Sequence, residues 1–243
     1  TLSASHLDAL QAYISSLTAP FGTKARIELI NLDLGGKPVK LGTYGIISGA
    51  AAFLVLLYED GALAEQGAGY MFEQAVLGAT RLGLGTCWLG GTLNKKDFAA
   101  NIDMKPDELL RIVSPVGYPA KRRFIEKVMR SGAGSDSRKP FGSLFFESGF
   151  DTPLEEDKAG RYREPLNMVR LAPSASNTQP WRVVLKDGVP HFYYRQASRF
   201  PGIDMGIALC HFEQACVGLG ITGRYEVLDR AGIPETEKEK YTL

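Results

Sequence analysis

The feature that most constrains this chain is an internal echo. Phe72-Glu73-Gln74-Ala75 returns as Phe212-Glu213-Gln214-Ala215, each inside a Gly- and Ala-rich stretch with helical character, Ala62 to Leu82 and Gly202 to Leu219. Ala19-Pro20 ahead of one apolar segment returns as Ala172-Pro173 ahead of another. So short an identity arises by chance, but a matched order of helix, Ala-Pro, strand, long helix and strand is the mark of an internal repeat. The pattern predicts a tandem duplication, with a first half over 1–150 and a second over 151–243. Gly67, Gly69, Ala75, Gly78 and Ala79 would let another helix come close to the first of the two long helices.

The remaining elements follow from periodicity. Leu7, Leu10, Ile14 and Leu17 share one helical face, with Ser3 or Ser5 available as a cap. Ile27 to Leu32 and Phe53 to Tyr58 read as strands, with a turn at Gly35-Gly36-Lys37-Pro38 between them. Lys95 to Ala100 predicts a short helix, and Leu109 to Val116 a strand ending at Gly117-Tyr118-Pro119. Lys121 to Ser137 is a basic, Gly/Ser-containing connection. A helix from about Arg163 leads to strands Arg182 to Lys186 and His191 to Arg195 around a turn at Asp187-Gly188. Gly223 to Leu228 predicts a last strand, and Glu235 to Lys240 a solvated charge run.

With 28 Lys+Arg against 27 Asp+Glu, the charge balance does not argue for nucleic acid or an anionic membrane as partner. Glu65, Glu73, Gln74 and Arg81 interrupt the Ala62 to Leu82 stretch and argue against a membrane span. Three cysteines argue against a disulfide scaffold and for a reducing compartment. No charged n-region followed by an apolar h-region opens the chain, so the cytoplasm is the default location.

Two stretches carry chemistry. Leu171 to Trp181, LAPSASNTQPW, packs hydroxyls, two carboxamides and an indole into a turn between a helix and a strand. Such a loop can grip a flat polar ligand; equally, Ser174, Ser176, Asn177 and Gln179 can simply satisfy backbone groups around an ordinary connection. Gly83 to Gly91, GLGTCWLGG, offers close backbone approach at Gly90 and Gly91, or a plain strand-ending turn. Trp88 and Trp181 are candidates for lining a site, although a tryptophan beside a strand is more often core.

Together the two stretches resemble signatures of the nitroreductase family, "APSxxNxQPW" over Ala172 to Trp181 and "GLGTCWxGG" over Gly83 to Gly91, with Gly117-Tyr118-Pro119 extending the likeness. The APS stretch comes second here, whereas in an ordinary member it comes first. The resemblance implies an α+β fold: a nitroreductase-like sandwich of mixed, mainly antiparallel sheet flanked by helices, its two repeated halves forming a single-chain pseudo-dimer with the long helices near a pseudo-twofold axis. It also implies an FMN-dependent oxidoreductase. Pro173, Ser174, Asn177 and Gln179 of the second half and Leu89, Gly90 and Gly91 of the first are the implied cofactor-binding residues. The family's Arg-x-Ser-x-Arg phosphate segment would end just before Thr1-Leu2-Ser3, which leaves Arg138 of Arg138-Lys139-Pro140 as the first phosphate ligand and Lys121, Arg122 and Arg123 as the rival cluster.

The stoichiometry expected is one FMN per chain. Ala19 to Lys24 lacks the Asn and Gln of the APS stretch, and Gly218 to Gly223 lacks the Trp-Leu-Gly-Gly of the other, so one complete site can be assembled and a second cannot. The implied reaction passes hydride from NAD(P)H through flavin N5 to a stacked small-molecule electron acceptor such as a nitroaromatic, a quinone or a flavin, in ping-pong fashion. The alternative is a non-catalytic or non-reductase flavin-binding protein of the same fold. Partners other than small molecules are not expected, and the chain would act as a monomer or a weak oligomer. Cys210, His211 and Cys216 do not share a helical face, so no metal site is expected there.

Overall fold

Helix α1 (Ala4–Ser15) begins where the Ser3 hydroxyl accepts the His6 N–H at 3.3 Å, and it buries Leu10 and Ile14. The capped helix is the first element of a computed structural model that describes residues 2–31, 49–90, 98–120, 134–228 and 241–242. The chain divides into two compact units, Thr1–Met129 and Arg130–Leu243.

In the first unit, β1 (Ala25–Asn31) pairs antiparallel with β2 (Ala52–Glu59), which pairs antiparallel with β4 (Glu108–Gly117); β3 (Gly85–Thr86) closes the other edge. The order is β1-β2-β4-β3. Every residue of β2 from Ala52 to Tyr58 is buried, as its continuous apolar run requires. Phe53, Val55 and Leu57 project to one face and form a core with Ile30, Phe98, Leu110 and Val113.

Helix α2 (Ala64–Arg81) packs closely at two of its glycines. A methyl at Gly67 would lie 2.1 Å from Thr23 Oγ1 and 2.8 Å from the Pro20 carbonyl oxygen; one at Gly78 would lie 2.2 Å from the Tyr13 ring of α1. The small residues of α2 thus serve contacts inside this unit, where α1 and the Pro20–Thr23 turn approach.

In the second unit, α3 (Arg163–Leu171) leads into the β6 (Trp181–Lys186) and β7 (Val189–Arg195) hairpin, followed by α4 (Pro201–Gly218). Each unit therefore shows helix, Ala-Pro, hairpin and long helix in the same order. β5 (Phe145–Glu147) runs parallel to β6, and β8 (Tyr241–Thr242) antiparallel to β7, for the order β5-β6-β7-β8. β5 is built into this sheet and belongs to the second unit. Phe212 of the echoed tetrapeptide stacks on Tyr162 and meets Phe192 edge-on at 5.0 Å, tying α4 to the hairpin.

The strand expected over Gly223 to Leu228 is irregular. The edge of β7 is taken by β8, and the segment is anchored instead by Tyr225, whose hydroxyl donates to the Leu209 carbonyl at 2.7 Å. The turn expected at Gly35 to Pro38, the first half of the helix at Lys95 to Ala100, the cluster Lys121 to Arg123 and the charge run at Glu235 to Lys240 lie outside the described residues. Among the described residues no helix is long and apolar enough to cross a membrane.

Candidate functional site

The loop after α3 is held in a conformation its side chains do not favour. Ala172 leaves the helix at ψ 144°, as the residue before a proline must. Ser174 is extended, and Ser176, Asn177 and Gln179 then adopt φ of 52°, 53° and 47°. Asparagine tolerates the left-handed region; serine and glutamine there cost about 1–2 kcal/mol each and persist only where surrounding contacts over-determine them.

Those contacts are present. The Ala175 N–H donates to Asp204 Oδ1 at 2.9 Å from the first turn of α4, and the Gln179 N–H donates to Ser174 Oγ at 2.9 Å. Thr178 Oγ1 donates to the Ala175 carbonyl at 3.0 Å, and Lys139 Nζ to the Thr178 carbonyl at 2.6 Å.

The carboxamides turn inward. Gln179 is 2% exposed; its Oε1 accepts the Lys139 N–H at 2.9 Å, and its Nε2 donates to Asn177 O and Oδ1, both at 3.2 Å. Asn177 Nδ2 donates to the carbonyls of Gly134 at 2.6 Å and Ser137 at 3.1 Å. Arg138 donates to the carbonyls of Ser135, Ser137 and Leu171, and Arg170 Nε to the Lys139 carbonyl. Ser174, Asn177, Gln179 and Arg138 are thus brought together, with Pro173 opening the loop, and their hydrogen bonds stitch residues 134–139 to it.

Sequence reasoning missed three participants. Asp204 is 2% exposed on α4, and nothing in its sequence context marks it as a brace for a loop. Arg182, in the second position of β6, is 4% exposed and donates to the carbonyls of Gln179 at 3.1 Å and Trp181 at 2.6 Å. Burial and then the charge of Arg195 push its guanidinium down to about 10. Burial, followed by the charges of Arg182 and Arg195, lowers the Lys139 ammonium. An arginine inside the otherwise apolar run WRVVL was the available signal for Arg182.

The glycine-rich stretch of the first unit is clipped to β4. Gly85 and Thr86 pair with Gly117 and Val116, the Cys87 N–H donates to Ser114 Oγ at 3.0 Å, and Leu89 exchanges two backbone hydrogen bonds with Val113, each 2.9 Å. Trp88 Nε1 donates to Glu73 Oε2 at 2.9 Å, and the ring meets Phe72 edge-on at 4.8 Å. The first copy of the echoed tetrapeptide therefore fixes the tryptophan of GLGTCWLGG, with Glu73 only 1% exposed. Gly90 follows the Leu89 clip, half-buried; Gly91 lies outside the described residues. Trp181, by contrast, is fully buried core.

Residues 1–216 match the family described as "Putative TM nitroreductase". The chain belongs to that family. Among solved structures, a "putative nitroreductase" of Thermotoga maritima is similar over 99% of this chain and 83% of its own, at 20% identity and TM-score 0.57, which establishes the shared fold. A nitroreductase with bound FMN from Bacteroides fragilis aligns over 51% of this chain and 81% of its own at 15% identity and TM-score 0.39. No curated protein matches the sequence. The nitroreductase fold of the chain is α+β, with mainly antiparallel sheets flanked by helices.

Proposed function

We propose that this nitroreductase-family chain is an FMN-dependent oxidoreductase that takes reducing equivalents from NAD(P)H and delivers them to a small-molecule acceptor such as a nitroaromatic, a quinone or a flavin. The observation that carries this reading is the strained loop. Left-handed backbone at Ser176, Asn177 and Gln179, held by Asp204, Lys139 and the carboxamides, is the kind of pre-organised polar edge that a ligand clamp retains.

The donor set fits FMN. Ser174 and Asn177 are half-buried and Ser176 is exposed, so two hydroxyls and a carboxamide-shaped edge lie within reach of a ligand at the loop. When bound, FMN would supply hydride acceptance and donation at one ring position. The chain's task is to hold the ring and leave one face open. Pro173, Ser174 and Asn177 border the cofactor in this reading, and Gln179 and Arg138 keep their shape. The matched order of helix, Ala-Pro, hairpin and long helix supports a tandem duplicate acting as a pseudo-dimer, with one FMN per chain, as a monomer or weak oligomer.

An absorption spectrum of the purified protein tests this. Yellow protein that bleaches anaerobically on adding NADH or NADPH supports the reductase. Yellow protein that does not bleach supports flavin binding in another role, and protein that stays colourless after incubation with FMN overturns the flavin reading.

A further inference from the structure

The strained loop is gripped at its two ends by buried groups of opposite charge that come from two different elements. At its start, Asp204 in the first turn of α4 is 2% exposed, and its Oδ1 accepts the Ala175 N–H at 2.9 Å. At its end, Arg182 of β6 is 4% exposed, and its guanidinium donates to the Gln179 carbonyl at 3.1 Å and the Trp181 carbonyl at 2.6 Å. From the first of these bonds to the second, the chain passes through all three left-handed residues of the loop, Ser176, Asn177 and Gln179.

Both grips are on the main chain. Within the loop, the Asn177 N–H donates to the Ser174 carbonyl at 3.0 Å and the Thr178 N–H to the Ala175 carbonyl at 3.1 Å. Those bonds close local turns, but they do not fix the direction in which the chain enters or leaves them. Asp204 fixes the entry and Arg182 the exit. Hydrogen bonds to a charged partner are roughly twice as strong as neutral ones, and they strengthen away from water. A carboxylate is favoured further in the first turn of a helix. Strained backbone persists only where its surroundings over-determine it, and these two anchors act on the residues that carry the strain.

We propose that Asp204 and Arg182 are positioning residues of the flavin site, which hold the Ser174–Gln179 loop in its binding shape before a ligand arrives. The inference rests on the flavin reading above and supplies the reason the loop is ready for a ring. Such residues act through the fraction of molecules whose loop is competent, because an apparent dissociation constant is the intrinsic one divided by that fraction. A loop competent in only about one molecule in ten to one in a hundred binds about ten- to a hundredfold more weakly. The loss falls on the association rate, since a ligand already bound sees the same loop.

The test compares the parent with Asp204→Ala, Asp204→Asn and Arg182→Met, well below the melting temperature of each. Flavin-free protein is followed by amide hydrogen exchange, and FMN binding by stopped-flow quenching of flavin fluorescence. Asp204→Ala and Arg182→Met should each speed exchange over Ala175–Gln179 relative to the rest of the second unit. Each should weaken FMN binding about ten- to a hundredfold through slower association. Asp204→Asn keeps an acceptor oxygen for the Ala175 N–H and should restore most of both. A change in overall stability alone would lower the melting temperature and leave these readouts in place.

Unchanged exchange over the loop, FMN binding equal to the parent's, or a loss carried by faster dissociation would overturn the positioning role. So would an Asp204→Asn variant that binds as weakly as Asp204→Ala. Either Asp204→Ala or Arg182→Met decides the matter where the other does not fold. Parent protein that binds no FMN refutes the flavin reading and the positioning role with it, whereas parent that binds while the variants match it refutes the positioning role alone.

Discussion

Gln179→Ala separates a carboxamide that braces the loop from one that reaches a ligand. The side chain is almost fully buried and takes part in three hydrogen bonds, one received from the Lys139 N–H and two given to Asn177. Truncation leaves the Lys139 N–H without its partner, at about 1–3 kcal/mol, and removes contacts worth about 1 kcal/mol more. Alanine keeps a Cβ at φ 47°, so the backbone strain is unchanged. The expected loss is about 2–4 kcal/mol of unfolding free energy in flavin-free protein. Urea denaturation in a Trp88→Phe background makes Trp181, buried in the second unit, the sole fluorescent reporter of that unit's unfolding. A change within about 0.5 kcal/mol, together with weakened FMN binding, would refute the bracing argument and return Gln179 to direct contact with the ring.

The remaining predictions concern other parts of the fold. Gly67→Ala should destabilise the first unit by about 2–3 kcal/mol despite alanine's better helix propensity, because the Pro20 carbonyl cannot move as a side chain can; Gly61→Ala, which meets open space, serves as the control in thermal melts. Ser176→Gly should stabilise the second unit by up to about 1 kcal/mol in the same melts by relieving its left-handed backbone. Glu108 is held below the ordinary carboxylate range by hydrogen bonds from Arg26 and then by the Lys105 N–H, so its contribution is complete above about pH 4.3 and is lost as pH falls through its lower folded value; Glu108→Gln should flatten that acid limb of a stability-against-pH curve. Initial rates against NAD(P)H at several acceptor concentrations should give parallel lines, and FMN titration should saturate at one per chain; intersecting lines or two FMN per chain would count against the single open ring face or the single flavin site.

The elements that bury a periodic face were readable in advance. β2 is an unbroken apolar run and is buried from Ala52 to Tyr58, and α1 is capped by Ser3, one of the two serines that the sequence offered. Gly223 to Leu228 misled because local alternation does not say which segment takes a sheet edge, and that of β7 is taken by β8, from farther along the chain. β5 is three residues long and pairs in parallel, a register that local alternation does not encode. In the loop, residue types announced a polar connection, but the direction of each amide depends on Lys139 and residues 134–137, which are distant in sequence. The echo at Phe72-Glu73 was legible as a repeat, whereas its grip on Trp88 became visible only with α2 beside the glycine-rich stretch.

The β6–β7 register has a consequence for how faithfully this hairpin assembles. Trp181 shares a face with Val183, whose partner Phe192 lies against Phe212 of α4, while Arg182 points to the opposite face with Val184 and Tyr193. Sliding one strand by a single residue would exchange the two faces, setting the guanidinium against Phe192 and Phe212 and taking the indole out of the core that it fills. The alternation along β6 therefore specifies this register over its one-residue neighbours.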